Sequence, residues 1–216
     1  MKRNLTTLTI IALAGFLAGC QTTGTTGTGP DVTGTQATSK KASAMPPIPL
    51  ATAEKRYKQK PSDPKAAMDY AKSLRHADFA NQASTILMPF AREKETIPGM
   101  KSEMAAIELA LGNFDSAEEF GKQAVRQDPT DYLAYQNLGI ALDAKQMHPE
   151  AERAFRKALE NWQGDPTIIM NNLALNLASQ NFVDEAIEIL EKAKTLSPDR
   201  IELERNLRIV RTMKER

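Results

Sequence analysis

Residues able to do covalent or metal chemistry are few in this chain. Among 216 residues there is one cysteine, Cys20, and there are two histidines, His76 and His148. A zinc site needs several His or Cys ligands, and an activated thiol needs a basic partner beside it. The two histidines stand far apart in the repeating pattern described below, so neither arrangement can form. Gly24, Gly27 and Gly29 sit in a Thr-rich stretch, not between a strand and a helix, and make no phosphate-binding loop. Carboxylates are plentiful but regularly spread, as on solvated helix faces. The expectation is a protein that is not an enzyme, with no metal, no cofactor and no small-molecule substrate. What recurs instead is the amide. Asn137-Leu138, Asn172-Leu173 and Asn206-Leu207 follow one another at 35 and 34 residues. An amide side chain both donates and accepts hydrogen bonds. Repeated at a fixed interval, it can hold a peptide laid across it or tie one helix to the next.

The elements that must position these amides share their period. Ala83, Ala117, Ala151 and Ala186 are spaced 34, 34 and 35 residues apart. Seven residues after each come Phe90, Ala124, Ala158 and Ala193, and twelve before each come Ala71, Ala105, Gly139 and Ala174. Self-similarity at this period means stacked helix–turn–helix units. Two antiparallel helices approach closely only where side chains are short. Tyr70, Met104, Leu138 and Leu173 precede the first-helix markers, and Leu87, Gly121, Phe155 and Leu190 follow the alanines by four, Gly121 being the exception in size. One such hairpin cannot bury its apolar face alone, so neighbours are required. Asp63-Pro64 and Asp165-Pro166 read as N-cap plus first-turn proline, and Ser197-Pro198 reads likewise for a final helix. Asn113, Asn181 and His148-Pro149 fall in the turns inside units. Pro89, within a second helix, should kink or break it. Residues 201–216 form the first helix of a fifth unit that lacks its second. Arg205, Arg208, Arg211, Lys214 and Arg216 make its outer side polar, as a cap on a stack requires. The alternative is a basic docking patch.

This pattern resembles the tetratricopeptide repeat, with its small residues at the eighth, twentieth and twenty-seventh positions and proline near the end, here Pro61, Pro129 and Pro198. The resemblance implies an all-α fold: a right-handed superhelical stack of about four hairpins plus a C-terminal capping helix. Repeats are expected at 64–97, 98–131, 132–165 and 166–200, with one extra residue near Gly164 and the cap at 201–216. Residues about 51–60 would be a leftover second helix, and the repeat domain would span 51–216. In this family the second, fifth, ninth and twelfth positions of each unit face a concave groove. The resemblance thus implies a groove of Lys65, Met68, Lys72 and Arg75; Gly99, Ser102, Ala106 and Leu109; Leu133, Gln136, Ile140 and Asp143; and Ile168, Asn171, Leu175 and Ala178. It would be basic at its N-terminal end and apolar with amides at the other. An apolar peptide would be held there by Gln136, Asn137, Asn171 and Asn172, the other use of each amide being a contact between helices. The basic and Asn positions of the chaperone-tail clamp are missing, which disfavours that partner.

The start of the chain concerns location. Lys2 and Arg3 precede a mostly apolar stretch, Leu5 to Leu17, too short to span a bilayer and typical of a secretory leader. It ends Leu17-Ala18-Gly19-Cys20, which resembles a bacterial lipobox. That implies removal of residues 1–19 and lipidation of Cys20. Gln21 is not the aspartate that favours inner-membrane retention, so the resemblance implies the outer membrane of a Gram-negative cell, with the domain facing the periplasm. Residues 20–50 are rich in Thr, Gly, Ser and Pro without hydrophobic periodicity, and are expected to be a disordered tether. The chain carries 28 basic and 27 acidic residues; losing Lys2 and Arg3 leaves 26 against 27. So nearly neutral a chain, with no long basic run, argues against nucleic-acid binding.

The combination of lipobox, polar linker and few repeats is similar to the TadD family, lipoproteins of Tad-type pilus assembly. The strings carrying the likeness are Tyr135-Gln136-Asn137-Leu138-Gly139-Ile140-Ala141-Leu142-Asp143, Met170-Asn171-Asn172-Leu173-Ala174-Leu175 and Arg205-Asn206-Leu207. The resemblance implies a partner among pilus components, such as the outer-membrane secretin that a pilotin places. A type IV pilus pilotin and a general envelope scaffold are the alternatives.

Overall fold

Ten helices and no strand make up the described residues, 48–162 and 164–215, of this computed structural model. The expected leader, Cys20 and the tether up to residue 47 lie outside them. Helix α1 (Leu50–Gln59) starts one residue before the expected second helix and is followed by four hairpins: α2 (Pro64–His76) with α3 (Ala80–Ala91), α4 (Met100–Ala110) with α5 (Phe114–Gln127), α6 (Tyr132–Ala144) with α7 (His148–Asn161), and α8 (Thr167–Ser179) with α9 (Val183–Leu196). Helix α10 (Ile201–Lys214) ends the stack. The array opens on a lone second helix and closes on a lone first one.

Local chemistry sets the helix ends. Asp63 Oδ1 accepts from the Lys65 N–H and Asp131 Oδ1 from Leu133 and Ala134, so two first helices are acid-capped, while Asp165, one residue ahead of the Pro166 cap of α8, accepts from Thr167. Gly99, with φ 79°, stands at this place before α4 and supplies no side chain. The turn inside every hairpin has one geometry. Asp78, Gly112, Gln146 and Asn181 all take positive φ, between 62° and 75°. The next residue in each case, Phe79, Asn113, Met147 or Phe182, donates its N–H at 2.9 Å to a carbonyl five residues back. This closes each first helix with a Schellman motif.

Two expectations about helix ends need correcting. Pro89 does not break its helix. Leu87 and Ala91 on either side of it are fully buried, and Arg92 N–H still reaches Met88 O at 3.2 Å. Packing outweighs the missing donor, although α3 is shorter than the second helices of the other three hairpins and a long connection, residues 92–99, follows it. Ser197-Pro198 does not start the final helix either. Ser197 closes α9 by donating its N–H to Ala193 O, and α10 begins only at Ile201.

The periodic small residues lie where helices meet. Ala83, Ala117, Ala151 and Ala186 are wholly buried, as are Ala71, Ala105 and Ala174. At Gly139 even a methyl group would not fit, because a Cβ would stand 2.6 Å from Cε1 of Phe155. Gly121 breaks the run of large residues because the next unit fills its space: a Cβ there would lie 3.1 Å from Cβ of Leu138. In the first unit Phe90 is half-buried and its neighbour Ala91 is the buried small residue.

Each first helix packs against the next first helix, along α2, α4, α6, α8 and α10, whereas the second helices α3, α5, α7 and α9 stand apart, α7 and α9 being bridged by the Arg156–Glu185 ion pair. The first helices therefore line the inner side of the curve. Buried residues form two clusters, one from Ala53 to Phe120 and one from Leu138 to Val210. Leu203, Leu207 and Val210 of α10 complete the second, and their burial against α8 and α9 shields its end from water.

Candidate functional site, the inner face of the stack

The inner wall divides into residues that hold the stack together and residues left to solvent. In the first group are three that the sequence assigns to the groove. Asn137 is buried, and its Nδ2 donates at 2.9 Å to the backbone carbonyl of Ser102, one unit earlier. Asp143 Oδ1 meets His148 Nδ1 at 2.7 Å and also accepts from Nδ2 of the fully buried Asn176 at 2.7 Å. Arg75 makes a forked pair with Glu103 of the next unit, Nε to Oε1 at 2.6 Å and Nη2 to Oε2 at 3.1 Å. All three are engaged within the stack, Asn137 through its Nδ2, Asp143 through Oδ1 and Arg75 through Nε and Nη2. Asn172, at the place equivalent to Asn137, is half-buried, and its Nδ2 is enclosed with no hydrogen-bond partner among the described residues.

The Arg75 pair also changes the charge of the N-terminal end. Lys65 is paired with Asp69, leaving Lys72 as the exposed cation of α2 without an ion pair among the described residues. The expected basic end is largely neutralised. Met68 is half-buried against the N-terminal cluster. In the second unit Ser102 is buried and its hydroxyl has no hydrogen-bond partner among the described residues, while Ala106 and Leu109 are half-buried. Ala178 is buried, contrary to its assignment, because it packs in the C-terminal cluster.

What remains open is the wall of α6 and α8. Gln136, Ile140, Asn171 and Leu175 are all half-buried. Ile140 and Leu175 rest on the core with part of each side chain outward, and Leu133 is 41% exposed beside them. The neighbouring Leu138, Leu142, Leu173 and Leu177 are buried, as a period of 3.6 requires of the opposite helix face. Asn171 Oδ1 accepts from Asn206 Nδ2 at 2.7 Å, which fixes the amide and leaves its own Nδ2 as a donor. The surface can therefore bury apolar groups and donate hydrogen bonds.

The rows do not stop at α8. Arg205 follows Asn171, and Ile209 follows Leu175, each by 34 residues, and both are exposed. Reading α10 as a cap hid them, although the period of the chain already placed them in register. His76 lies exposed at the end of α2, where partial desolvation and then the nearby Arg75 charge lower its pKa.

Comparison with known proteins supports the fold. Residues 103–166 and 137–201 match the tetratricopeptide repeat family model. A thermophilic TPR protein of Thermus thermophilus has a similar structure, with TM-score 0.64, 21% identity, and coverage of 74% of this chain and 88% of that one. YrrB, a TPR protein with an unusual peptide-binding site, is similar with TM-score 0.56 and 20% identity over 71% of this chain and 79% of that one. At such identities the likeness is one of fold. The protein O-mannosyl-transferase TMTC1 of Mus musculus is 27% identical over 124 residues, 56% of this chain but only 12% of the transferase. No helix among the described residues is long and apolar enough to cross a membrane.

Proposed function

We propose that this chain, whose residues 103–201 are tetratricopeptide repeats, works as a lipid-anchored scaffold that binds a protein partner on the inner wall of α6 and α8. The observation carrying the reading is the row of Ile140 and Leu175, apolar side chains partly open to solvent, with the amide of Gln136 and the Nδ2 donor of Asn171 in the same register. Burial of apolar surface there is worth roughly 25 cal/mol per Å². The amides would set the direction of a bound chain.

The anchor is read from the sequence, in which the sole cysteine closes a lipobox-like string after a short apolar stretch. Lipidated Cys20 would hold the protein on the outer membrane, with the repeats in the periplasm. The strings around Asn137, Asn172 and Asn206 favour a TadD-like role in Tad-type pilus assembly, with the secretin or another pilus component as partner. A type IV pilus pilotin and a general envelope scaffold remain the alternative settings for the same surface. Replacing Ile140 and Leu175 together by Asp is expected to abolish pilus assembly or secretin localisation with helicity intact. A folded, anchored and fully piliated double variant would exclude this wall. Cys20→Ala is expected to leave the membrane fraction or stay unprocessed; finding it mature and still in the outer membrane would remove the anchor from the reading.

A further inference from the structure

We propose that α10 is the last wall of the groove, and that the groove takes an extended apolar segment running to a carboxylate held by Arg205 and Arg208. The inference rests on the groove reading above and goes further by naming the chemistry of the occupant.

Register places α10 in the groove. Gln136, Asn171 and Arg205 form one row and Ile140, Leu175 and Ile209 the next, with steps of 35 and 34 residues in both. The bond from Asn206 Nδ2 to Asn171 Oδ1 at 2.7 Å ties α10 to α8, as Asn137 ties α6 to α4. Capping accounts for the buried face of α10 but not for its outer one. There Ile209 is 51% exposed, at the place where a residue that serves only as a lid would be polar.

Charge identifies the partner. Two other cations of α10 are satisfied within the fold: Arg211 pairs with Glu191 at 2.7 Å and Lys214 with Asp184 at 2.7 Å. Arg205 and Arg208 are exposed, precede Ile209 on α10 by four residues and by one, and have no ion-pair partner among the described residues. Guanidinium groups bind carboxylates in a forked geometry. The free donor of Asn171 and the unbonded amide of Gln136 point to an occupant with backbone groups to spare. An extended segment has these, whereas the backbone of a helix is already bonded internally. Packed helices lie about 10 Å apart. A polyproline II segment advances about 9 Å per three residues. Apolar side chains at every third position would thus meet Ile140, Leu175 and Ile209 in turn, with the carboxylate beyond them.

The test uses the purified full chain and a short fluorescent peptide with leucine at every third position and glutamates at its C-terminal end. A lysine-ended counterpart serves as control. The glutamate peptide is expected to bind at least about tenfold more tightly at low salt, a preference that shrinks as salt screens the charges. Arg205→Glu with Arg208→Glu should reverse it, and Ile209→Asp should weaken both peptides about tenfold. Amidating the peptide's C-terminus tells a terminal carboxylate, whose loss would weaken binding, from side-chain carboxylates, which would be unaffected. Equal binding of the two peptides, a preference that survives the double arginine change, or no binding up to about 1 mM would overturn the inference. So would binding of anionic vesicles through these arginines in place of the peptide. Loss with Ile140→Asp and Leu175→Asp but not with the α10 variants would overturn it while sparing the groove. Loss with the α10 variants alone would overturn both. Circular dichroism checks that each variant is folded.

Discussion

Replacing Gly139 by Leu would drive a side chain into the ring of Phe155, which already stands 2.6 Å from where a Cβ would be. Overpacking of this kind costs about 1–3 kcal/mol, so the melting temperature by circular dichroism is expected to fall. An unchanged melting curve would mean that the helices do not cross there. The asparagines offer a contrast at the same scale. Asn137→Ala removes a buried bond to Ser102 O and is expected to cost about 1 kcal/mol. Asn172→Ala should cost less, since the Nδ2 it deletes has no partner. Denaturant titration of the two variants compares them directly, and equal losses would contradict the separate roles. Asn137 also shows where the sequence misleads. Its spacing announces a repeated task, but nothing in the spacing says whether the amide faces a ligand or the preceding unit.

At the scale of the helix, the shared left-handed turn makes a testable difference among units. Gln146 has φ 62°, where an L side chain is strained, whereas Gly112 meets the same demand freely at φ 75°. Gln146→Gly is therefore expected to gain about 1 kcal/mol in stability by denaturant unfolding, and Gly112→Gln to lose a similar amount. Losses in both would show that side-chain contacts, not the backbone, dominate these turns. The helices themselves are legible in the chain, because Ala83, Ala117, Ala151 and Ala186 keep step with the small residues of the facing helix. Their hairpin turns are less so. Gln146 is not a residue that announces a left-handed turn, and only the position it shares with Asp78, Gly112 and Asn181 reveals it. Pro89 misleads for the opposite reason. A local rule predicts a break, and burial of Leu87 and Ala91, which no local rule sees, overrides it. The inner wall is half legible: the family register marks Gln136, Ile140, Asn171 and Leu175, which are partly open to solvent, but it cannot see Glu103 neutralising Arg75.

Across the whole molecule, ion pairs stitch neighbouring units together, and one of them sets a pH dependence. Hydrogen bonds from Lys122 and then Lys145 hold the Glu118 carboxylate below the usual range. A depressed folded pKa stabilises above the ordinary carboxylate value, and the benefit disappears as pH falls through the folded one. Glu118→Gln is thus expected to flatten the acid side of the stability profile, measured by urea unfolding at a series of pH values. An unaltered slope would place the acid sensitivity elsewhere. Charge also distinguishes the last helix of the stack. Arg208 of α10 occupies the place taken by Ala71, Ala105, Gly139 and Ala174 in the complete units, so a further second helix would meet a guanidinium where it needs a small residue.

The division of the core into two clusters has a consequence in time. One cluster ends at Phe120 and the other begins at Leu138, and between them α5 and α6 press Gly121 against Leu138. In heavy water such a molecule need not exchange its amide hydrogens as one body. The C-terminal cluster is the larger and is shielded by α10, so protons in α8 and α9 are expected to outlast those in α2 and α3. The lag between the two sets would then measure the free energy with which the close contact at Gly121 couples one half to the other, and a single common rate would show that the seam transmits unfolding without loss.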